Sequence, residues 1–196
     1  MNSNNYEENC NVDDDYIYPP EILKKLDYKK NYVNFNPPIS ILNPGENLIL
    51  RPLCLNDYNK GYLDLLAQLT RVGEVSEQTF KETFQEMKSA KNRYFITVIE
   101  DLTTNQIIGT ATLFVERKFI HSAGLRGRLE DVVISNDYRG KQLGKLVVIT
   151  IRLLAEHIGC YKMSLDCKDK MVKFYNQFGF ICESGNSNMM TIRFKE

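Results

Sequence analysis

Histidine and cysteine are scarce in this sequence. Its only two histidines are His121 and His157, and its five cysteines stand far apart at 10, 54, 160, 167 and 182. No CxxC pair is present, so a zinc module is excluded. An odd number of scattered thiols makes no disulfide framework and predicts reduced cysteines. Charge of one sign is lacking as well: 25 Lys and Arg balance 25 Asp and Glu, which points to neither nucleic acid nor an anionic membrane as partner. Long hydrophobic runs are missing, since LVVITI at 146–151 ends at Arg152, far short of a membrane span. The opening residues, MNSNNYEENCNVDDD, are polar and acidic, unlike a secretory signal. These absences predict a soluble, cytoplasmic protein with no metal and no integral membrane segment. Two phosphate-binding signatures are also missing. There is no GxGxxG, and Gly140 and Gly144 are too close, with Lys145 followed by Leu146, for a P-loop.

What is present suits one mixed α/β domain with a real core: 196 residues, 43% of them hydrophobic. Residues 1–18, rich in Asn, Asp and Glu, read as a disordered tail. Residues 19–46 read as a short helix from Pro19 followed by an extended connection enforced by Pro37, Pro38, Pro44 and Gly45. The domain proper is expected at 47–196. NLILRPL predicts a strand, and apolar spacing from Leu55 to Leu69 predicts a helix capped at Asn56 or Asp57. A second helix is expected over Ser76–Ala90. YFITVIE and QIIGTATLFVER, split by DLTTN, predict an antiparallel hairpin. LEDVVIS, YKMSLDC, FICES and MMTIRF predict further strands, with helices over Lys141–His157 and within KDKMVKFYNQFG.

Residues 129–158 organise the rest. An apolar strand leads through a basic, glycine-bearing turn into a long helix, an order that makes an anion cradle from helix-start N–H groups, Gly140, Gly144, Arg139, Lys141 and Lys145. Read alone, the same turn serves equally as a basic cap on a core helix. Glu130 and Asp131 fall on opposite faces of a regular strand, so they serve one site only at a bulge or beside a second subunit. Without further context they read as a solvated strand end, and Tyr175, among Phe174, Phe178 and Phe180, as part of an aromatic core.

A strand followed by an [RQ]xxGx[GA]-type loop, a helix and a later FYxxFGF segment resembles the GNAT superfamily of N-acetyltransferases. The loop here is Arg139-Gly140-Lys141-Gln142-Leu143-Gly144, with Gln142 where glycine is common, so Gln142 must take a backbone shape that glycine takes more easily. ERKFIH, LEDVVIS, YRGKQLGKL, GCYK, LDC, KFYNQFGF and the terminal IRF together resemble the glucosamine 6-phosphate N-acetyltransferase family over Asn47 to Phe194. The resemblance implies a GNAT fold, a mostly antiparallel mixed sheet flanked by helices on both faces.

It further implies substrate contacts at Thr70, Lys118, Phe119, Ile120, His121, Glu130, Asp131, Asp166 and Arg193. Acetyl-CoA contacts fall on Val132, Val133, Arg139, Gly140, Lys141, Gln142, Leu143, Gly144 and Lys145, with Tyr175 near the thioester sulfur. Met171 stands where the family usually has Asn. The implied reaction is acetyl transfer from acetyl-CoA to the 2-amino group of D-glucosamine 6-phosphate, by direct attack through a tetrahedral intermediate. Glu130 and Asp131 are expected to orient the amine, a Val132 or Val133 N–H to bind the oxyanion, and Tyr175 to protonate the sulfur. A homodimer is implied, with active sites near the interface and Asp166 and Arg193 acting across it. The alternatives are a GNAT enzyme acting on another small amine or a protein amine, and a non-catalytic acyl-CoA-binding protein.

Overall fold

The computed structural model describes residues 16–183, 185, 190–192 and 194. Residues 1–15 and Arg193, one of the expected substrate contacts, lie outside them. The apolar segments assemble into one five-stranded sheet in chain order: β1 Leu48–Pro52, β2 Tyr94–Asp101, β3 Gln106–Arg117, β4 Leu125–Ile134 and β5 Cys160–Ser164. β1 to β4 are antiparallel neighbours and β5 runs parallel to β4, the mixed and mostly antiparallel sheet expected. DLTTN closes the β2–β3 hairpin with Asp101 opposite Gln106, and the Asp101 carboxylate accepts from the Thr103 and Thr104 amides.

Six helical segments complete the fold among the described residues: α1 Glu21–Lys24, α2 Tyr62–Ala67, α3 Glu77–Ser89, α4 Ile120–Ala123 (a left-handed turn with positive φ at His121, Ser122 and Ala123), α5 Leu143–His157 and α6 Val172–Asn176. α2 and α3 cover one sheet face, their Tyr62, Phe80 and Phe84 standing with Ile96, Thr112 and Phe114 around a common cleft. Ile158, just past α5, meets Phe95 and Val115, which strand alternation puts on the opposite face. Ser76 caps α3 by accepting from the Thr79 amide. The helix expected from Leu55 is broken instead. Residues 55–60 form a 3-10 turn that ends at Gly61, φ 73°, and only Tyr62–Ala67 is α-helical. Asp57 does not cap that helix; its carboxylate accepts from the Cys54 amide and twice from Arg51. Glu100 takes the rest of Arg51 and all of Lys60, so four buried charges pair among themselves.

α5 is apolar almost all round and buried as such, because the N-terminal segment covers its outer side. The boundary expected at residue 18 is therefore too late. Ile17 and Tyr18 are buried, Ile17 donates its amide to the Leu53 carbonyl, and the Tyr18 hydroxyl bonds Thr97. Leu23 and Leu26 extend the same cluster. At the other end, the expected strands FICES and MMTIRF do not form among the described residues. Ile181, Met190, Ile192 and Phe194 are exposed, and the outer edge of β5 is left unpaired within the described residues. Among the described residues no helix is long and apolar enough to cross a membrane.

Candidate active site

The site is built on β4. Its pairing with β3 runs Thr110↔Val133 and then Thr112↔Glu130, so Asp131 and Val132 together oppose Ala111. Two residues against one is a β-bulge, and Asp131 absorbs it with φ 51°. The bulge cancels the alternation that would have separated the acids. Glu130 and Asp131 line the same cleft, of about 510 Å3, together with Thr70, Arg71, Tyr62 and Thr112. Thr70 thus joins the acidic pair as expected, whereas the remainder of the cleft is apolar, with Leu66, Val75, Phe84 and Met87 on its α2–α3 wall.

The two carboxylates are in different electrostatic states. Glu130 accepts from Arg128 Nε at 2.7 Å, and the other edge of the same guanidinium binds Asp166. Arg128 therefore ties two of the expected substrate residues together. It was legible only as the residue two before Glu130 on the same strand face, a position that alternation marks without saying what it holds. Asp131 has no ion-pair partner among the described residues. Crowding by protein on one side, and then the negative charge of Glu130, raise its carboxyl above the usual range.

The other edge of β4 is open. β5 pairs with β4 from Leu125↔Cys160 to Arg128↔Ser164 and then leaves it, so residues 129–134 have no strand partner on that side among the described residues. Val132 and Val133 stand on this stretch, where backbone N–H groups can face a ligand inserted between the diverging strands. α5 begins just beyond. Gly140 has φ 81° with open space where a Cβ would lie, and Gly144 leaves Ile134 and Phe174 at 3.7 and 3.8 Å from such a Cβ. Gln142 does adopt the left-handed backbone its position demands, φ 63° and ψ 7°. Leu143 is buried and roots the loop in the core. Arg139, Lys141 and Lys145 make no ion pair among the described residues, although Lys141 lies 4.6 Å over the Tyr138 ring.

Tyr175 sits on α6 against Phe174 and Phe180, with ring centroids 5.1 and 6.1 Å away. Burial, and then the Cys167 thiol nearby, push its phenol up, so it is a protonated donor at neutral pH. The aromatic surroundings expected are present, and Tyr175 is half-buried among them. Lys118, Phe119, Ile120 and His121 are not brought to the acidic pair. They form the tip of the β3–β4 hairpin, where Lys118 pairs with Glu116, His121 stacks on Tyr161 at 4.1 Å, and Phe119 and Ile120 are exposed. Asp131 is six residue steps along β4 from Leu125, about 20 Å at the usual rise.

Residues 60–180 match the acetyltransferase (GNAT) family. The chain belongs to the GNAT family. A probable glucosamine 6-phosphate N-acetyltransferase of Drosophila melanogaster is 56% identical over 186 residues, which cover 94% of this chain and 84% of that protein. Glucosamine 6-phosphate N-acetyltransferase 1 of Dictyostelium discoideum is 41% identical over 141 residues, covering 72% and 88%. The crystal structure of glucosamine-6-phosphate N-acetyltransferase from Arabidopsis thaliana matches with a TM-score of 0.72 at 37% identity, over 76% of this chain and 100% of that one. GNAT enzymes draw their acetyl group from acetyl-CoA. In this GNAT chain Arg139, Lys141 and Lys145, which make no ion pair among the described residues, the open Gly140 and the start of α5 fit its phosphates, and the edge of β4 that has no strand partner among the described residues fits an extended amide-bearing arm. Met171, where the resemblance implies an Asn, immediately precedes α6.

Proposed function

We propose that this GNAT enzyme transfers the acetyl group of acetyl-CoA to the 2-amino group of D-glucosamine 6-phosphate, giving N-acetyl-D-glucosamine 6-phosphate and CoA. The observation that carries the reading is the β4 bulge, which presents two carboxylates to a cleft while the other edge of the same strand offers unpaired backbone. The likeness to enzymes of that name supplies the substrate.

Each residue then has a task. Glu130 and Asp166, fixed by Arg128, orient sugar hydroxyls, and Asp131, whose carboxyl is raised, lies ready to accept a proton from the attacking amine. A sugar amine is less basic than lysine, so an appreciable neutral fraction exists near pH 7 and no strong base is required. As nitrogen attacks the acetyl carbon, charge develops on the carbonyl oxygen, and the N–H of Val132 or Val133 is the donor to it. The C–S bond then breaks, and Tyr175, held protonated, gives its proton to the departing sulfur. Arg139, Gly140, Lys141, Gln142, Leu143, Gly144 and Lys145 hold the phosphates of the donor.

A sugar phosphate also needs cations, and Lys118 and His121 lie about 20 Å from the acids along one strand. In our reading the protein is a homodimer in which a second copy brings these residues, with Arg193, to the cleft. The exposed Phe119, Ile120, Ile192 and Phe194 and the open outer side of β5 support it. The apolar lining of the cleft is the one feature that favours a bulkier amine or a protein amine as acceptor. Incubation with 13C-acetyl-CoA and NMR of the product separates the readings. An amide acetyl on the C2 nitrogen of glucosamine 6-phosphate is expected; no such signal, with acetylated lysine peptide instead, would refute the proposal.

A further inference from the structure

Gln142 holds a backbone shape that side-chain-bearing residues seldom adopt, and it does so at the turn into α5. Both ends of its side-chain amide are engaged. Oε1 accepts from the Asn36 amide at 3.1 Å and Nε2 donates to the Pro37 carbonyl at 3.2 Å. Both partners are main chain, so one glutamine amide reads a short piece of backbone much as a neighbouring strand would. That piece ends a strap laid along the outer side of α5. Near the C-terminus of α5, Lys30 pairs with Glu156, its carbonyl accepts from Arg152, and the Arg152 guanidinium lies 4.8 Å over the Tyr32 ring. Six residues after Lys30 the strap reaches Gln142 at the opposite end of the helix. Its anchor is the buried cluster of Ile17, Tyr18, Leu23 and Leu26.

We propose that Gln142 is a positioning residue for the acetyl donor: held by Asn36 and Pro37, it keeps the Arg139–Gly144 turn in the left-handed form that aims its N–H groups at the donor's phosphates. The segment before the sheet thereby belongs to the donor site without touching the donor. This rests on the reading of Arg139–Lys145 as the acetyl-CoA loop. Glycine at 142 would relieve the backbone and lose the latch together, whereas Asn36→Pro loses only the donated amide, so the pair separates the two contributions. Coupling is reciprocal: a donor bound on the ordered turn also steadies the strap.

The test uses the full chain and CoA binding by calorimetry, with acetyl-CoA KM measured alongside KM for glucosamine 6-phosphate. Gln142→Gly and Asn36→Pro, which deletes the donated amide, should each weaken CoA binding about 3–10-fold, the loss of one or two net hydrogen bonds. The effect should appear in KM for acetyl-CoA and not in KM for the amine. Asn36→Ala keeps the amide and should bind CoA as wild type does, and the double variant Gln142→Gly with Asn36→Pro should be no worse than either alone. Wild-type-like or tighter CoA binding by Gln142→Gly would overturn the latch, as would additive losses in the double variant. Wild-type protein that fails to bind CoA at all overturns the loop assignment beneath it, and the latch with it.

Discussion

A carboxyl that is harder to ionise in the folded chain than in the unfolded one weakens the fold wherever it is charged. Asp131 is such a group. Below the ordinary carboxylate range both states are protonated and the penalty is absent; it grows as pH rises through the unfolded value and is full above the raised folded one. Asp131→Asn should therefore raise Tm near pH 7 and lose that part of the gain as pH falls towards about 4. A smaller, pH-independent gain should remain, because Asn tolerates the φ of 51° well. The same variant should lower kcat for acetyl transfer. A Tm difference that grows on acidification would contradict the electrostatic account. Tyr175 stands on its raised phenol pKa. Tyr175→Phe should lower kcat by about 10²-fold with little change in acetyl-CoA affinity, and an unchanged kcat removes the residue from the chemistry. Arg128→Met leaves Glu130 and Asp166 adjacent without their shared cation, and KM for the amine should rise; a change confined to KM for acetyl-CoA would speak against that role.

At the scale of elements, the sequence was informative where local chemistry decides the outcome. The DLTTN hairpin was expected from its turn residues and is present; Ser76 caps the helix expected to start there, and Gly159, φ 84°, follows the end of the helix expected to finish at His157. The bulge at Asp131 could be stated only as a condition, because two carboxylates in a row fit a solvated strand end as well as a shared cleft. The N-terminal strap was legible only in part, for another reason. Its short helix and extended course over 19–46 were expected, but Ile17 and Tyr18 close a stretch poor in aliphatics that looked unable to offset ordering, and the apolar outer surface of α5 that the strap covers is visible only once α5 is on the sheet. Arg128 stayed hidden because a basic residue on a strand does not announce its partners. Leu26→Ala tests the strap: a buried leucine truncated in a real core should cost about 2–5 kcal/mol and lower Tm, whereas a loosely attached tail would show almost no shift.

Across the whole molecule, the proposed donor site lies within one chain, whereas only part of the proposed acceptor site does. The acids, the open edge of β4 and the basic loop at α5 lie within one chain, while Lys118 and His121 stand at a far hairpin tip with Phe119 fully exposed beside them. The expected C-terminal strands likewise lack a partner within the described residues. Both features ask for a second copy, and sedimentation at micromolar concentration should give a dimer. A monomer that is fully active would instead require another source for the phosphate contacts.

The central claim is the acceptor, and thiol release from acetyl-CoA measures it directly. With glucosamine 6-phosphate, glucosamine and a lysine peptide in parallel, kcat/KM for the phosphosugar should exceed the other two by about 10²-fold, the worth of one charge-assisted phosphate contact. Equal turnover of unphosphorylated glucosamine, or faster turnover of the peptide, would contradict the account.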